Sequence, residues 1–157
     1  CMQRLTAEPR GESAQKDMVP MEVVEGRKRG VIAITRREDR FLVIRRGLTV
    51  AAGGTICFPG GHIEPGEAEH EAVVRECHEE LAAVVEPRAC VWQSVSPWGT
   101  PLSWWTVQLM DDRELVPHPI EVAEILWMSV DEMLADPTLL EGNRPFLEAV
   151  RDGIIAI

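Results

Sequence analysis

Three glutamates crowd one short stretch, Glu76, Glu79 and Glu80, directly after Arg75. If the stretch is helical, Glu76 lies beside both Glu79 and Glu80, because residues three and four apart are neighbours on a helix. Like charges at that spacing cost about 0.2–0.5 kcal/mol per pair, and they sit toward a helix C-terminus, where the macrodipole disfavours anions. Local stability does not select this arrangement. A hard divalent cation reverses the argument, since clustered carboxylate oxygens are what Mg²⁺ or Mn²⁺ binds. An isolated cluster of this kind reads as a solvated acidic face paired to Arg75. This one follows a glycine-rich turn whose backbone can approach a ligand closely and add carbonyl or amide groups to a metal or phosphate site.

The elements that must position these residues follow from periodicity and turn chemistry. Val73, Val74, Cys77 and Leu81 share one face at helical spacing, which predicts a helix over about Ala68–Leu81. Glu64-Pro65-Gly66-Glu67 fits a tight turn before it, and Pro59-Gly60-Gly61 interrupts any strand ladder. Val31–Thr35 and Phe41–Arg45 read as a hairpin, and Thr55–Phe58, Ala89–Val95, Trp104–Met110 and Ile125–Met128 as further strands. Ser129-x-x-Glu132 is a capping box that opens a helix over Val130–Ala135. A last helix spans Arg144–Arg151, with Asn143 as its cap and Gly153 as its stop. The irregular alternation predicts an α+β fold, an α-β-α sandwich with a mixed sheet between helices. Residues 1–25 are polar and aperiodic and read as a flexible lead-in, with Pro20–Glu25 able to add an edge strand; residues 26–157 form the domain.

Gly61-His-Ile-Glu-Pro-Gly-Glu67-Ala-Glu-His-Glu-Ala-Val-Val-Arg75-Glu76-Cys77-His78-Glu79-Glu80-Leu-Ala-Ala83 resembles the Nudix box. That pattern runs Gly, five residues, Glu, seven residues, Arg-Glu, an apolar residue, any residue, Glu-Glu, any residue, Gly and an apolar residue; here every charged position and the first Gly match. The departure is Ala82, where the family has a Gly able to end the helix in a left-handed conformation. The resemblance implies a Nudix fold and hydrolysis of a nucleoside diphosphate linked to another moiety, NDP-X plus water giving NMP plus phosphoryl-X, with Mg²⁺ or Mn²⁺ as cofactor. It implies Glu76 and Glu80 as direct metal ligands, Glu79 as a ligand directly or through water, and the Gly60 carbonyl as a further one. Arg75 is expected to orient a carboxylate, and Glu67 to pair with Arg75 or brace the turn. A carboxylate outside the box often completes such sites; Glu124 is the first candidate and Glu121 the second.

Other signals are weaker. Arg45 and Arg46 end a strand near the expected site, and Arg46 joins Gly61 and Trp98 as a substrate-binding candidate. The segment Val95–Ser103 is similar in part to an array of NADH pyrophosphatases, matching at Pro97, Trp98, Pro101 and Ser103 but not at Val95, Ser96, Gly99 or Thr100. Its plainest reading is a hairpin loop, with Trp98 able to stack on a base. Trp104 and Trp105 alternate along a strand, so at most one lies in the core and the other faces out. His62, His78 and His118 read as surface residues.

A formal charge of -10 over 157 residues repels phosphate polymers and anionic membranes, so a nucleic-acid duplex or a membrane is excluded as partner and a small nucleotide, bridged by metal, is retained. The apolar runs are too short to span a bilayer and the first residues lack a signal-peptide core, which predicts a cytoplasmic protein. The four cysteines have no metal spacing and read as reduced thiols. A homodimer is compatible with the resemblance and with exposed Trp. Two other functions compete: a Nudix-fold binding or regulatory module without catalysis, which would be free to lose Glu76, Glu79 or Glu80, and an isomerase of prenyl diphosphates, for which Cys57 is the nearest thiol.

Overall fold

The computed structural model describes residues 28–157; the expected lead-in over 1–25 and the expected strand at Pro20–Glu25 lie outside the described residues. Eight strands come first to the eye: β1 Gly30–Ile34, β2 Arg36–Arg37, β3 Arg40–Arg46, β4 Ile56–Cys57, β5 Gly60–His62, β6 Val85–Val95, β7 Pro101–Leu109 and β8 Val122–Met128. Among the described residues three α-helices join them, α1 Glu69–Leu81, α2 Val130–Ala135 and α3 Arg144–Arg151, with a 3₁₀ turn at Glu141–Asn143.

The strands form two sheets rather than one. The first has the order β5-β1-β7-β6, with β1 parallel to β7 and its other pairings antiparallel. The second centres on β3, which pairs with β8 along one edge and with β2 and β4 along the other. The hairpin expected between Val31–Thr35 and Phe41–Arg45 is replaced by β2–β3, because the chain changes sheet at Thr35, whose carbonyl accepts the Leu42 N–H. A strand with both faces covered reads as a continuous apolar run, and β3 shows why. Leu42 and Ile44 enter one core with Val31, Ala33, Ala72, Val73, Cys77 and Leu81. Phe41 and Val43 enter the other with Ile34, Phe58, Trp104, Met133, Phe146 and Leu147. So α1 covers one face and α2 with α3 the other, the α-β-α layering expected. No helix among the described residues is long and apolar enough to cross a membrane.

Three expectations change. Pro59-Gly60-Gly61 does not end pairing: Gly60–His62 becomes β5 on the edge of β1, where the missing Cβ atoms allow close approach. A Cβ on Gly60 would lie 2.1 Å from the Val31 carbonyl oxygen. Trp104 is fully buried and stacks on Phe146 with ring centroids 4.6 Å apart. Trp105 does not face out; it is half-buried against the α1 core and its Nε1–H donates to Glu69 at 2.9 Å. Finally, Asn143 precedes α3 but its side chain makes no cap bond there; its oxygen accepts the Phe58 N–H at 3.1 Å instead.

Candidate active site

The helix α1 is built as its periodicity demands. Ala72, Val73, Cys77 and Leu81 bury the apolar stripe, and Glu71 accepts the Ala68 N–H at 3.3 Å to close the first turn. Glu76 and Glu80 lie at the edge of that stripe and are carried inward with it, leaving 8% and 4% of their surfaces exposed. Burial is the main reason both carboxyls are raised above the ordinary carboxylate range, and Glu80 is pushed up to about 8. Each is also raised by its neighbours: Glu79 and Glu121 act on Glu76, and Glu76 and Glu121 act on Glu80. Arg75 offsets this at Glu76, and less offsets it at Glu80. The Gly60 N–H donates to Glu80 Oε1 at 2.8 Å, and the Arg46 charge favours the ionised form of Glu80.

The glycine-rich turn fits against these carboxylates. A Cβ on Gly61 would fall 2.4 Å from the Glu76 carboxyl carbon, so only glycine lets the turn lie this close. Arg75 holds the other side. Its Nε and Nη2 meet both oxygens of Glu67 at 2.8 and 2.9 Å, its Nη1 reaches Glu76 at 2.9 Å and Glu79 at 3.2 Å, and Nη2 also donates to the His62 carbonyl. Such a two-pronged pair favours the carboxylate strongly, and Arg75 together with the Glu64 N–H holds Glu67 down at about 2. Glu67 thus both pairs with Arg75 and braces the turn.

The donor set is all oxygen: two buried carboxylates, a third on Glu79, and the turn backbone. This suits a hard divalent ion, and the buried like charges supply a reason for one. Among the described residues no three acidic, His or Cys side chains are already drawn together at metal-ligand spacing; Arg75 holds Glu76 and Glu79 in the arrangement seen.

The two outside glutamates separate. Glu124 pairs across the strands with Arg45, whose Nε donates to it at 3.1 Å. It shares a strand face with Leu126 and Met128, which pack into the core beneath α2 and α3, away from α1. The register shifts between Arg45 and Arg46; this bulge returns Val122 to the α1 core and leaves Glu121 on the side of Glu76 and Glu80. A period-two count from Ile125 through Ala123 already places Glu121 on the α1 side and Glu124 on the other; the position it does not account for is Val122, on the far side of the bulge. Arg46 faces the same side as Leu42 and Ile44, and its Nε donates to the Ala51 carbonyl at 2.7 Å. Arg45 instead holds the Gly54 carbonyl and Thr138. Trp98 is 72% exposed at the tip of the β6–β7 turn, at the end of the sheet where β1 begins beside Leu102 and His62.

Sequence reasoning took His118 only as a surface residue and missed its structural bonds. Its Nδ1 accepts the N–H groups of Ile120 and Glu121 at 3.2 and 3.1 Å, and its own N–H donates to the Glu80 carbonyl. It ties the turn carrying Glu121 to the end of α1, a role visible only once the two segments meet. Cys57, weighed as an isomerase thiol, is buried and pushed up to about 11 by that burial, which keeps it a neutral thiol.

A family model for the NUDIX domain matches residues 26–150. The chain is 33% identical over 129 residues to the CTP pyrophosphohydrolase of Escherichia coli (strain K12), an alignment covering 76% of this chain and 87% of that protein. It is 27% identical over 149 residues to Nudix hydrolase 3 of Caenorhabditis elegans, covering 83% of this chain but only 53% of that longer relative. Of solved structures, the MutT protein from Methanosarcina mazei Go1 superposes with a TM-score of 0.69 over 83% of this chain and 98% of its own, at 24% identity, a likeness of fold. The E. coli ORF135 protein superposes with a TM-score of 0.64 at 28% identity, over 80% of this chain and 89% of its own. The matched family and the complete charge spacing on α1 lead to one conclusion: the chain belongs to the Nudix family.

Proposed function

We propose that the chain is a divalent-metal-dependent pyrophosphohydrolase that cleaves a nucleoside diphosphate linked to another moiety, releasing a nucleoside monophosphate. The observation that carries this reading is the buried pair Glu76 and Glu80, pressed against Gly60 and Gly61, of which Glu76 shares Arg75 with two other carboxylates and Glu80 has no ion pair among the described residues. Glu76, Glu80 and the Gly60 carbonyl would hold Mg²⁺ or Mn²⁺, with Glu79 joining directly or through water. When bound, such an ion neutralises phosphate oxygens and lowers the pKa of water.

The chain's own residues supply the rest. Arg75 orients Glu76 and Glu79. Glu121 takes a proton from the attacking water at its carboxylate, because it shares a side with Glu76 and Glu80 while Glu124 is turned away toward Arg45. Arg46 exchanges the Ala51 carbonyl for a phosphate oxygen, a stronger, charge-assisted acceptor. Gly61 lets the phosphate chain approach the backbone, and Trp98 offers an open ring to a base. Relatives named for CTP and for NAD-capped RNA support a nucleotide substrate. Unpaired Cys57, Cys77 and Cys90 agree with a reducing, cytoplasmic setting.

The test is nucleoside monophosphate release across a panel of nucleoside triphosphates, nucleotide sugars, ADP-ribose, NADH and dinucleoside polyphosphates, with Mg²⁺ and with Mn²⁺, alongside Glu80→Gln. Turnover of one class that disappears in Glu80→Gln supports the proposal. Metal and nucleotide binding without turnover of any class favours the binding module instead.

A further inference from the structure

The strand that leads into the glycine-rich turn is held by a side chain from the far end of the chain. Beside β4, the segment before α3 runs parallel: the Ile56 N–H donates to the Thr138 carbonyl, and the Leu140 N–H donates back to the Ile56 carbonyl, both at 2.9 Å. The next rung of a parallel ladder would take the Phe58 N–H to the Leu140 carbonyl. That carbonyl is already committed, because the chain turns into its 3₁₀ helix there and the Asn143 N–H donates to it at 2.9 Å. The Asn143 side chain fills the missing rung, its Oδ1 accepting the Phe58 N–H at 3.1 Å. Both residues are almost fully buried, at 4% and 2% exposed, so no water is at hand to replace the bond.

The consequence reaches the site two residues on. The Pro59 carbonyl accepts the Ala33 N–H at 2.8 Å, and the Gly60 N–H donates to Glu80 at 2.8 Å. Phe58, Pro59 and Gly60 are thus pinned in succession by α3's leading residue, by β1 and by α1. Gly60 and Gly61 contribute no side-chain packing and little intrinsic stiffness, so their location depends on the anchors on either side. The downstream anchor is the β5–β1 pairing; the upstream ones are the Ala33–Pro59 backbone bond and, the one side-chain bond of the two, Asn143. Asn143 also forgoes capping α3 to make this bond.

We propose that Asn143 is a positioning residue for the glycine–carboxylate metal site, fixing Gly60 through Phe58 rather than touching metal or nucleotide; this rests on the metal reading given above. Losing a partner one step removed from a metal commonly weakens binding by about 10–100-fold, and an anchor acting through two residues belongs at the lower end, about 10-fold.

The experiment is calorimetric titration of the full chain with MnCl₂ and no nucleotide, for the wild type, Asn143→Leu, Asn143→Asp and the control Leu147→Ala. Leu147 lies in the same core, fully buried, and makes no bond to the turn. Expected are a Mn²⁺ affinity about 10-fold weaker in Asn143→Leu, substantial rescue in Asn143→Asp, which keeps an acceptor oxygen, and near-wild-type affinity in Leu147→Ala despite a lower Tm. Equal affinity in wild type and Asn143→Leu, or equal weakening in Leu147→Ala, overturns the inference alone. A wild type that takes up no Mn²⁺ overturns the metal reading and this inference with it. Should Asn143→Leu fail to fold, amide exchange in the wild type decides: a Phe58 amide protected like the β3 core supports the bond, and one exchanging like an exposed loop overturns it.

Discussion

Glu67 and Glu80 belong to one site and have opposite fates. Glu67 receives two prongs of Arg75 and the Glu64 N–H, and its carboxyl is held down at about 2. Glu80 is buried, receives one backbone N–H, faces two further carboxylates and is pushed up to about 8. The first is a carboxylate the fold has satisfied; the second is one the fold has left in debt to something outside the chain. Arg45–Glu124 and Arg46–Glu121 repeat the contrast on β3 and β8. Glu124 has its cation, whereas Glu121, among the described residues, has no ion pair and adds its charge to the buried pair. A satisfied carboxylate braces a structure; an uncompensated one is placed to bind or to accept a proton.

The largest expected effect comes from removing the uncompensated charge. Glu80→Gln keeps an oxygen for the Gly60 N–H but loses the ligand, and activity should fall by more than the ~100-fold that marks loss of an outer-shell partner. Stability without metal should move the other way. Below about pH 4.5, Glu80 is protonated in both folded and unfolded chains and costs nothing. As pH rises from there toward 8 the unfolded chain ionises first, so the native state loses stability across that window and levels off above it. Urea unfolding of metal-free protein at pH 5 and pH 8 should show this decline, and Glu80→Gln should flatten it. Glu67 works in the reverse sense: its contribution is complete above about pH 4.5 and is lost as pH falls toward 2. If Glu80→Gln and Glu67→Gln both leave the pH profile of stability unchanged, the contrast between the two carboxylates is wrong.

Next in size is the choice between the two outside glutamates. Glu121→Gln should lower kcat by about 100-fold or more, the range for losing a positioned general base. Glu124→Gln should change it little, since an exposed ion pair to Arg45 contributes about 0–1 kcal/mol. The reverse ranking in steady-state kinetics would move the proton acceptor to the α2–α3 side of the sheet. Glu67→Gln should fall between, about 10-fold, through a loosened Arg75.

What could be read in advance follows from how far apart in the chain the partners are. The α1 carboxylates and their buried stripe were legible because residues three and four apart meet on any helix, and the Ser129–Glu132 box because a cap is local; both bonds are present, at 2.9 and 3.2 Å. The run Phe41–Arg45 was legible as a strand for the same reason, though not that both of its faces are covered. The parallel pairing of β1 with β7 joins residues about seventy positions apart in the register Gly30 with Leu102, and no pattern within either strand encodes it. The alternation from Ile125 turns Glu124 away from α1, but its Arg45 partner is supplied by β3 and no local pattern names it. Asn143 carried a genuine local signal, a polar residue before a helix, and it pointed to the commoner use of that signal; a carbonyl already taken by the 3₁₀ turn redirected it to Phe58.

The smallest effect concerns Ala82, at the end of α1. Ala82 ends α1 in the left-handed region, at φ 53° and ψ 28°, with its N–H on the His78 carbonyl and that of Ala83 on the Cys77 carbonyl. The helix therefore ends as a glycine would end it, and Ala carries the steric cost of its Cβ against the following carbonyl, about 1 kcal/mol. Part of any gain from glycine is returned through the greater freedom of the unfolded chain. Ala82→Gly should therefore raise unfolding stability by up to ~1 kcal/mol without altering kcat, since Ala82 contributes no oxygen to the carboxylate set and the bonds that end the helix are backbone bonds. A loss of stability on that substitution would show that α1 ends differently in solution, and with it that Glu80, in the last turn, is held less firmly than the contrast with Glu67 requires.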